Sequence, residues 1–346
     1  MNKYENGVIK YAIDFERYKN GLANEIVSLI DNADKEIAKF LRKTEGVYTK
    51  ARYKEISRKL KEISLSLKEQ IGENIDVDGI IEYELKKQKK LLDLVKNDII
   101  KAKGGTVNFL YPTVEQIKTS ALFKPVTDGF TYDSYLNGIE NGLYNIWDSA
   151  VRTGYLTGRP TNEIVRTVMG GVSQQTKLQN PGLIQSLRNS VYGNTRTVLQ
   201  SFAAETRNRV FEENEEYFGD GEYKYEWVST LDSRSCLVCG DLDGKLFKSI
   251  KDAPAIPVHR GCRCVLIPYF NIEGDTRASK NGYIDSKFTY SEWLEEQDDK
   301  TQRDVLGKAR YEMYKNGTKI EQFVDNGQIL TLKQLAEKGL IDMNEE

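Results

Sequence analysis

Cysteine and histidine are scarce in these 346 residues, four and one respectively, and all five lie in the window SCLVCGDLDGKLFKSIKDAPAIPVHRGCRC at 235–264. So few cysteines in so long a chain exclude a secreted scaffold held by disulfides, and in a reducing compartment such thiols are free or bind metal. With the lone histidine engaged there, no second one remains for a Ser-His or Cys-His dyad, which removes the commonest hydrolase arrangements. Long hydrophobic runs are missing too. No stretch approaches the roughly 20 apolar residues that span a bilayer, and the N-terminus MNKYENGVIKYAIDFERYK has no signal-peptide core. The expectation is a soluble protein made in a cytoplasm. Charge of one sign is lacking as well: 50 Lys and Arg meet 52 Asp and Glu, for a net charge of −2. Any attraction to nucleic acid or anionic lipid must therefore be local.

What is present is mostly helical pattern. Ile26, Ile30, Ala33, Ile37 and Phe40 recur at helical spacing from Ala23 onward, and Ile56, Leu60, Ile63 and Leu67 repeat the rhythm. A third helix is predicted from Ile80 to Lys103, after the NIDVDG turn and before Gly104-Gly105. Each piece is too short for a long coiled coil, so residues 1–105 are expected to form a helical hairpin or small bundle. Between Lys35 and Glu69 eleven basic residues face five acidic ones. They are interleaved and poor in aromatics, as on a solvated helix face, and any DNA contact by the chain would use this segment. Residues 106–222 continue the helical pattern, with segments near 114–122, 132–154, 162–169 and 182–213, the third opened by Thr161 as N-cap.

Then the texture changes. The stretch 211–226 holds seven acids and one lysine, and YEWVST after it alternates like a strand. This begins a Cys/His module at 223–272, followed by a helical tail at 273–346. The fold class expected is mainly α with one small α+β module.

Within that module Cys236 and Cys239 form a C-x-x-C, a spacing that lets two thiolates converge on one ion while turn amides point at the sulfurs. Gly240 suits the tight turn, and DLDGKLF reads as a hairpin with Gly244 at its tip. His259, Cys262 and Cys264 add an H-x-x-C-x-C. Five groups compete for about four places on a tetrahedral zinc, and Cys236, Cys239 and His259 are the firmer ligands, with Cys262 and Cys264 dividing the fourth. Four protein donors leave no open position for catalysis. Asp232, four residues before Cys236, reads as a turn cap. GDLDGK lacks phosphate-loop spacing, and DLDG lacks the remaining calcium ligands.

The run WVSTLDSRSCLVCGDLDGKLF followed by IPVHRGCRCVLIP resembles the signature of the phage head morphogenesis family, the MuF-like minor head proteins of tailed bacteriophages. The resemblance rests on Trp227, Thr230, Asp232, Arg234, Cys236, Cys239, Leu242, Asp243, Gly244, Lys245, Pro257, His259, Cys262, Arg263 and Cys264. The tail is similar to the family's C-terminal helices, a WL-x-x-Q helix at Trp293–Gln297 leading to an LG-x-x-R at Leu306–Arg310. It implies a low-copy, non-enzymatic protein of the virion head interior, made in the host cytoplasm and associated with the portal and with capsid or scaffolding protein. It also implies influence on DNA packaging or ejection. Some members carry an appended toxin domain, for which this sequence leaves no room. Two readings compete: a zinc-stapled nucleic-acid enzyme, which needs a second histidine that the chain lacks, and a non-specific DNA-binding protein.

Overall fold

A computed structural model describes residues 3–44, 49–127, 129–172, 179–219, 221–270, 276–279, 282–285 and 287–340. Seven helices come first: α1 (Lys3–Lys43), α2 (Lys50–Asn74), α3 (Val77–Lys103), α4 (Val114–Phe123), α5 (Tyr132–Leu156), α6 (Thr161–Met169) and α7 (Ile184–Glu212), with the two-residue strands β1 (Gly171–Val172) and β2 (Gln179–Asn180) paired antiparallel between α6 and α7. The module that follows contains β3 (Tyr225–Val228), α8 (Leu237–Leu242), β4 (Leu246–Phe247) and β5 (Val265–Pro268). Last come the hairpin β6 (Thr276–Ser279) and β7 (Gly282–Asp285), helices α9 (Tyr290–Glu295), α10 (Asp299–Leu306) and α11 (Lys308–Lys315), the hairpin β8 (Val324–Asp325) and β9 (Gln328–Ile329), and α12 (Leu332–Glu337). The fold is mainly helical with a small antiparallel sheet, as expected. Among the described residues no helix is long and apolar enough to cross a membrane.

Two expectations need correction. The first helix begins at Lys3 rather than Ala23, because Phe15 and Leu22 carry the buried stripe of Ile26 and Ile30 back toward the N-terminus, where tyrosines and charges disguise the period. Thr161 is not the N-cap of α6: Pro160 holds that position without a side-chain bond, and Thr161 is the buried first helical residue.

The chain forms two compact units, one from Glu16–Ile80 and Lys118–Phe202, the other from Met1–Phe15, Ile81–Ile117 and Ala203–Glu346. In the first, α2 lies along α5, and Ile56, Leu60, Ile63 and Leu67 are all buried, as the spacing predicts. Thr131 opens α5 with a reciprocal capping box to Ser134. Asp34 and Asp148 are the buried carboxyl groups among the described residues of this unit. Asp34 is fully buried, accepting from Trp147 Nε1 at 2.7 Å and from Arg188 at 3.3 Å.

Burial pushes the Asp34 carboxyl up to about 6, against the opposing pull of Trp147 and Arg188. The folded chain therefore keeps a proton that the unfolded chain releases above its ordinary value of 3.8. Stability contributed by this site falls as pH rises from that value to about 6 and is flat beyond. The stability difference between the native chain and Asp34→Asn should change by about 1.4 kcal/mol per pH unit inside this window. Urea midpoints across the window test it; a constant difference would contradict the assignment.

In the second unit, the sheet has the order β4-β3-β5, all antiparallel, with Trp227 opposite Leu266 and Tyr225 opposite Phe247 and Pro268. Its aromatic residues pack with Leu92, Val95, Phe211 and Phe218 into one core that also takes in Cys239, Cys262 and Cys264. A neighbouring core gathers Tyr290, Trp293 and Leu294 of α9 with Leu231 and Leu237 of the module.

Candidate metal centre

Strand β3, with Tyr225 and Trp227 fully buried, sets the site. Trp227 donates through Nε1 to Ser229 Oγ at 3.2 Å, and Ser229 Oγ donates to the Cys239 carbonyl at 2.6 Å. Beyond it the chain turns at Asp232 and reaches Cys236, which caps α8: its Sγ accepts from the Cys239 N–H at 3.5 Å. The expected amide-to-sulfur contact of the C-x-x-C is thus present. The hairpin expected over DLDGKLF is instead the end of α8 followed by a turn. Gly244 there has φ +76°, a left-handed conformation suited to glycine, and donates to the Trp227 carbonyl at 2.9 Å.

Gly240 serves a different purpose from the tight turn expected of it. It lies inside α8, and a Cβ there would stand 2.4 Å from Cδ1 of Tyr290, so its bare backbone admits the ring. Tyr290 Oη in turn donates to the Ser235 carbonyl at 3.1 Å, beside Cys236.

The second half of the site comes from the loop before β5. His259 Nε2 lies 3.1 Å from Cys236 Sγ and 3.0 Å from Cys239 Sγ, and its Nδ1 lies 2.9 Å from the Arg260 carbonyl. With Nδ1–H donating to that carbonyl, a neutral His259 turns its Nε2 lone pair to the sulfurs, the arrangement a metal-binding imidazole adopts. Gly261, at φ +77°, then turns the chain so that the Cys262 N–H reaches the His259 carbonyl at 3.1 Å. The ligand atoms of Cys236, Cys239 and His259 lie within 4.8 Å of one another, as do those of Cys239, Cys262 and Cys264. Cys239 belongs to both groups. The four cysteines are unlinked, and all but Cys236 are buried.

Packing these groups together divides their protons. The Cys236 thiol is pulled down to about 4, first by the bond from Cys239 and, against burial, by His259. His259 is pushed up to about 9 by Cys236. Cys239 is driven upward by its bonds to Cys236, Cys262 and Cys264, and Cys262 is drawn well down by its bonds to Cys239 and Cys264. So many sulfurs in one low-dielectric pocket cannot all ionise unless a cation joins them. The donor set, its burial and the oriented imidazole therefore suit a soft divalent metal, and these residues could hold one.

Asp232 and Arg263 brace the two halves. The guanidinium donates twice to the carboxylate, Nη1 to Oδ2 at 2.7 Å and Nη2 to Oδ1 at 2.6 Å, with 10% and 16% of the side chains exposed. The Asp232 oxygen also accepts from the Arg234 N–H at 3.0 Å, the turn cap expected from sequence. Burial raises this carboxyl, but Arg263 and then Arg234 outweigh it and leave it below the ordinary aspartate value of 3.8. Its contribution is complete above that value and is lost as pH falls through the lower folded one. Asp232→Ala and Arg263→Ala should each cost about 2 kcal/mol, and the double variant clearly less than their sum, because either single change strands a partly buried charge. Strict additivity in denaturant melts would show that the pair does not couple.

Ser229 is not singled out by the sequence, and Asp243 is named there only as part of the resemblance, with no role. Ser229 lies 3.3 Å from Cys264 Sγ, and Asp243 links the end of β3 to the start of α9. Asp243 stands inside the L-D-G-K turn, but nothing in the spacing tells that its carboxylate points into the core.

Comparison with known proteins gives one finding. Residues 135–267, from α5 through nearly all of β5 and including the whole Cys/His cluster, match the family model described as Phage Mu protein F like protein. Searches of curated proteins and of solved structures gave no significant match.

Proposed function

We propose that this chain, whose residues 135–267 match the family model described as Phage Mu protein F like protein, belongs to the MuF-like family of phage head morphogenesis proteins and is a minor head protein of the capsid interior that associates with the portal. The family match carries this reading, since it spans both the helical part and the Cys/His module. The family is one of structural head proteins, and a non-enzymatic role agrees with a donor cluster that is mostly buried and has one histidine.

In this reading the cluster holds a structural zinc through Cys236, Cys239, His259 and one of Cys262 and Cys264. Bound there, the ion would supply a crosslink between α8 and the loop before β5. Trp227, Asp232, Arg234, Gly244 and Arg263 support the site by the core contacts, turn and ion pairs described above. The basic segment 35–69 on α1 and α2 is the part offered to packaged DNA, with binding that weakens steeply in salt.

Co-expression with the portal protein of the same phage, followed by size-exclusion chromatography and mass determination, tests the role. A stable complex with fewer copies of this chain than of portal subunits is expected. Failure to bind assembled portal would remove portal association from the proposal.

A further inference from the structure

A cleft of about 880 Å³ lies within the unit formed by Glu16–Ile80 and Lys118–Phe202, far from the cysteines in sequence. That volume falls inside the range of about 300–1,000 Å³ typical of small-ligand sites. Arg42 reaches it from the last turn of α1, Asn162 and Arg166 from one face of α6, Asn180 from β2, and Gln185 and Arg188 from the first turns of α7. Among the described residues its lining includes three arginines and no carboxylate.

Among the described residues only one of these guanidinium groups has its charge balanced by a carboxylate. Arg188 is paired with Asp31 at 2.6 Å and Asp34 at 3.3 Å. Arg42 uses Nε on the neutral Asn162 Oδ1 at 3.2 Å, leaving its terminal NH2 groups for another acceptor. Among the described residues neither Arg42 nor Arg166 has a carboxylate partner. Like charges gathered around a concave surface repel one another unless an anion joins them, and a planar guanidinium fork matches an oxyanion with several acceptors. The side-chain amide of Asn180, whose Oδ1 accepts from the Gly182 N–H at 2.9 Å, adds a neutral donor for the remaining oxygens.

We propose that this cleft binds a phosphate group, held by Arg42 and Arg166 and bordered by the already balanced Arg188. The group could come from a free phosphate compound or from a phosphodiester backbone; the recognition chemistry is the same. The inference stands on the cleft alone and does not depend on the reading of the chain as a head protein.

Calorimetric titration of the full chain with inorganic pyrophosphate tests it. One pyrophosphate per chain is expected, and Arg42→Ala and Arg166→Ala should each weaken binding by about tenfold or more. Both residues are exposed, so thermal melts should remain unchanged. Lys90→Ala removes the same charge from an exposed site on α3, outside both the cleft and the basic segment 35–69, and should leave binding intact. A labelled single-stranded oligothymidylate then separates the sources. Displacement by pyrophosphate, with loss in the two arginine variants, identifies a phosphodiester; pyrophosphate binding without competition identifies a small phosphate compound. No pyrophosphate binding, or equal weakening by Lys90→Ala and Arg166→Ala, would overturn the proposal.

Discussion

Cys239→Ser is expected to abolish stoichiometric metal binding and unfold the Cys/His module, the largest effect of any single change in the chain. Cys239 belongs to both groups of converging ligand atoms, so its loss breaks the site whichever of Cys262 and Cys264 completes it. A structural zinc supplies an apparent free energy of about 10–16 kcal/mol, comparable with or above the whole stability of an ordinary domain at about 5–15 kcal/mol. A chelator should therefore reproduce the variant. Elemental analysis gives the metal content. The near-ultraviolet dichroism of Trp227, packed in the same core as Cys239, Cys262 and Cys264, gives the fold. Cys262→Ser and Cys264→Ser divide the fourth position: the variant that retains metal and dichroism has lost the spare thiol. Metal-free native protein whose four thiols all react without denaturant would sink the zinc assignment.

The site was more legible in the sequence than the elements around it, for a physical reason. Metal-binding side chains must be Cys or His at a spacing set by one turn of backbone, so Cys236, Cys239, His259, Cys262 and Cys264 stand out in a chain that has no others. Long amphipathic helices are nearly as plain: α3, α5 and α7 fall within a few residues of their predicted bounds because burial repeats with the helical period. Short elements were less visible. Helix α8 spans six residues and is fixed by Cys236 at its cap and by Tyr290 against Gly240, neither of which any local period records. The tail is expected to be helical over 273–346, with a WL-x-x-Q helix leading to an LG-x-x-R; α9, α10 and α11 divide that stretch into three, since Asp298 caps a new helix and Gly307, at φ +72°, separates the next. The partners of Asp232 and Asp243 lie 31 and 47 residues away, and no window of sequence joins them.

Asp243→Ala is expected to lower stability by about 3 kcal/mol and to loosen the tail from the module. The carboxylate is 6% exposed and satisfies two backbone donors at once, Ser229 N–H at 2.6 Å and Tyr290 N–H at 2.8 Å. Each buried donor left unpaired costs about 1–3 kcal/mol, and nothing in an alanine replaces the acceptor. Asp243→Asn restores at most one of the two bonds and turns its amide donors toward the other N–H, so a loss of at least about 1 kcal/mol remains. The consequence should reach the cysteines. Tyr290 packs on Gly240 and donates to the Ser235 carbonyl, so a freed α9 uncovers the flank of Cys236, the least buried of the four thiols. Faster labelling of Cys236 by a thiol reagent in metal-free Asp243→Ala than in metal-free native protein, together with a lower denaturation midpoint, would mark Asp243 as the joint between them. An unchanged midpoint with unchanged labelling would show that other contacts of α9 hold the tail without it.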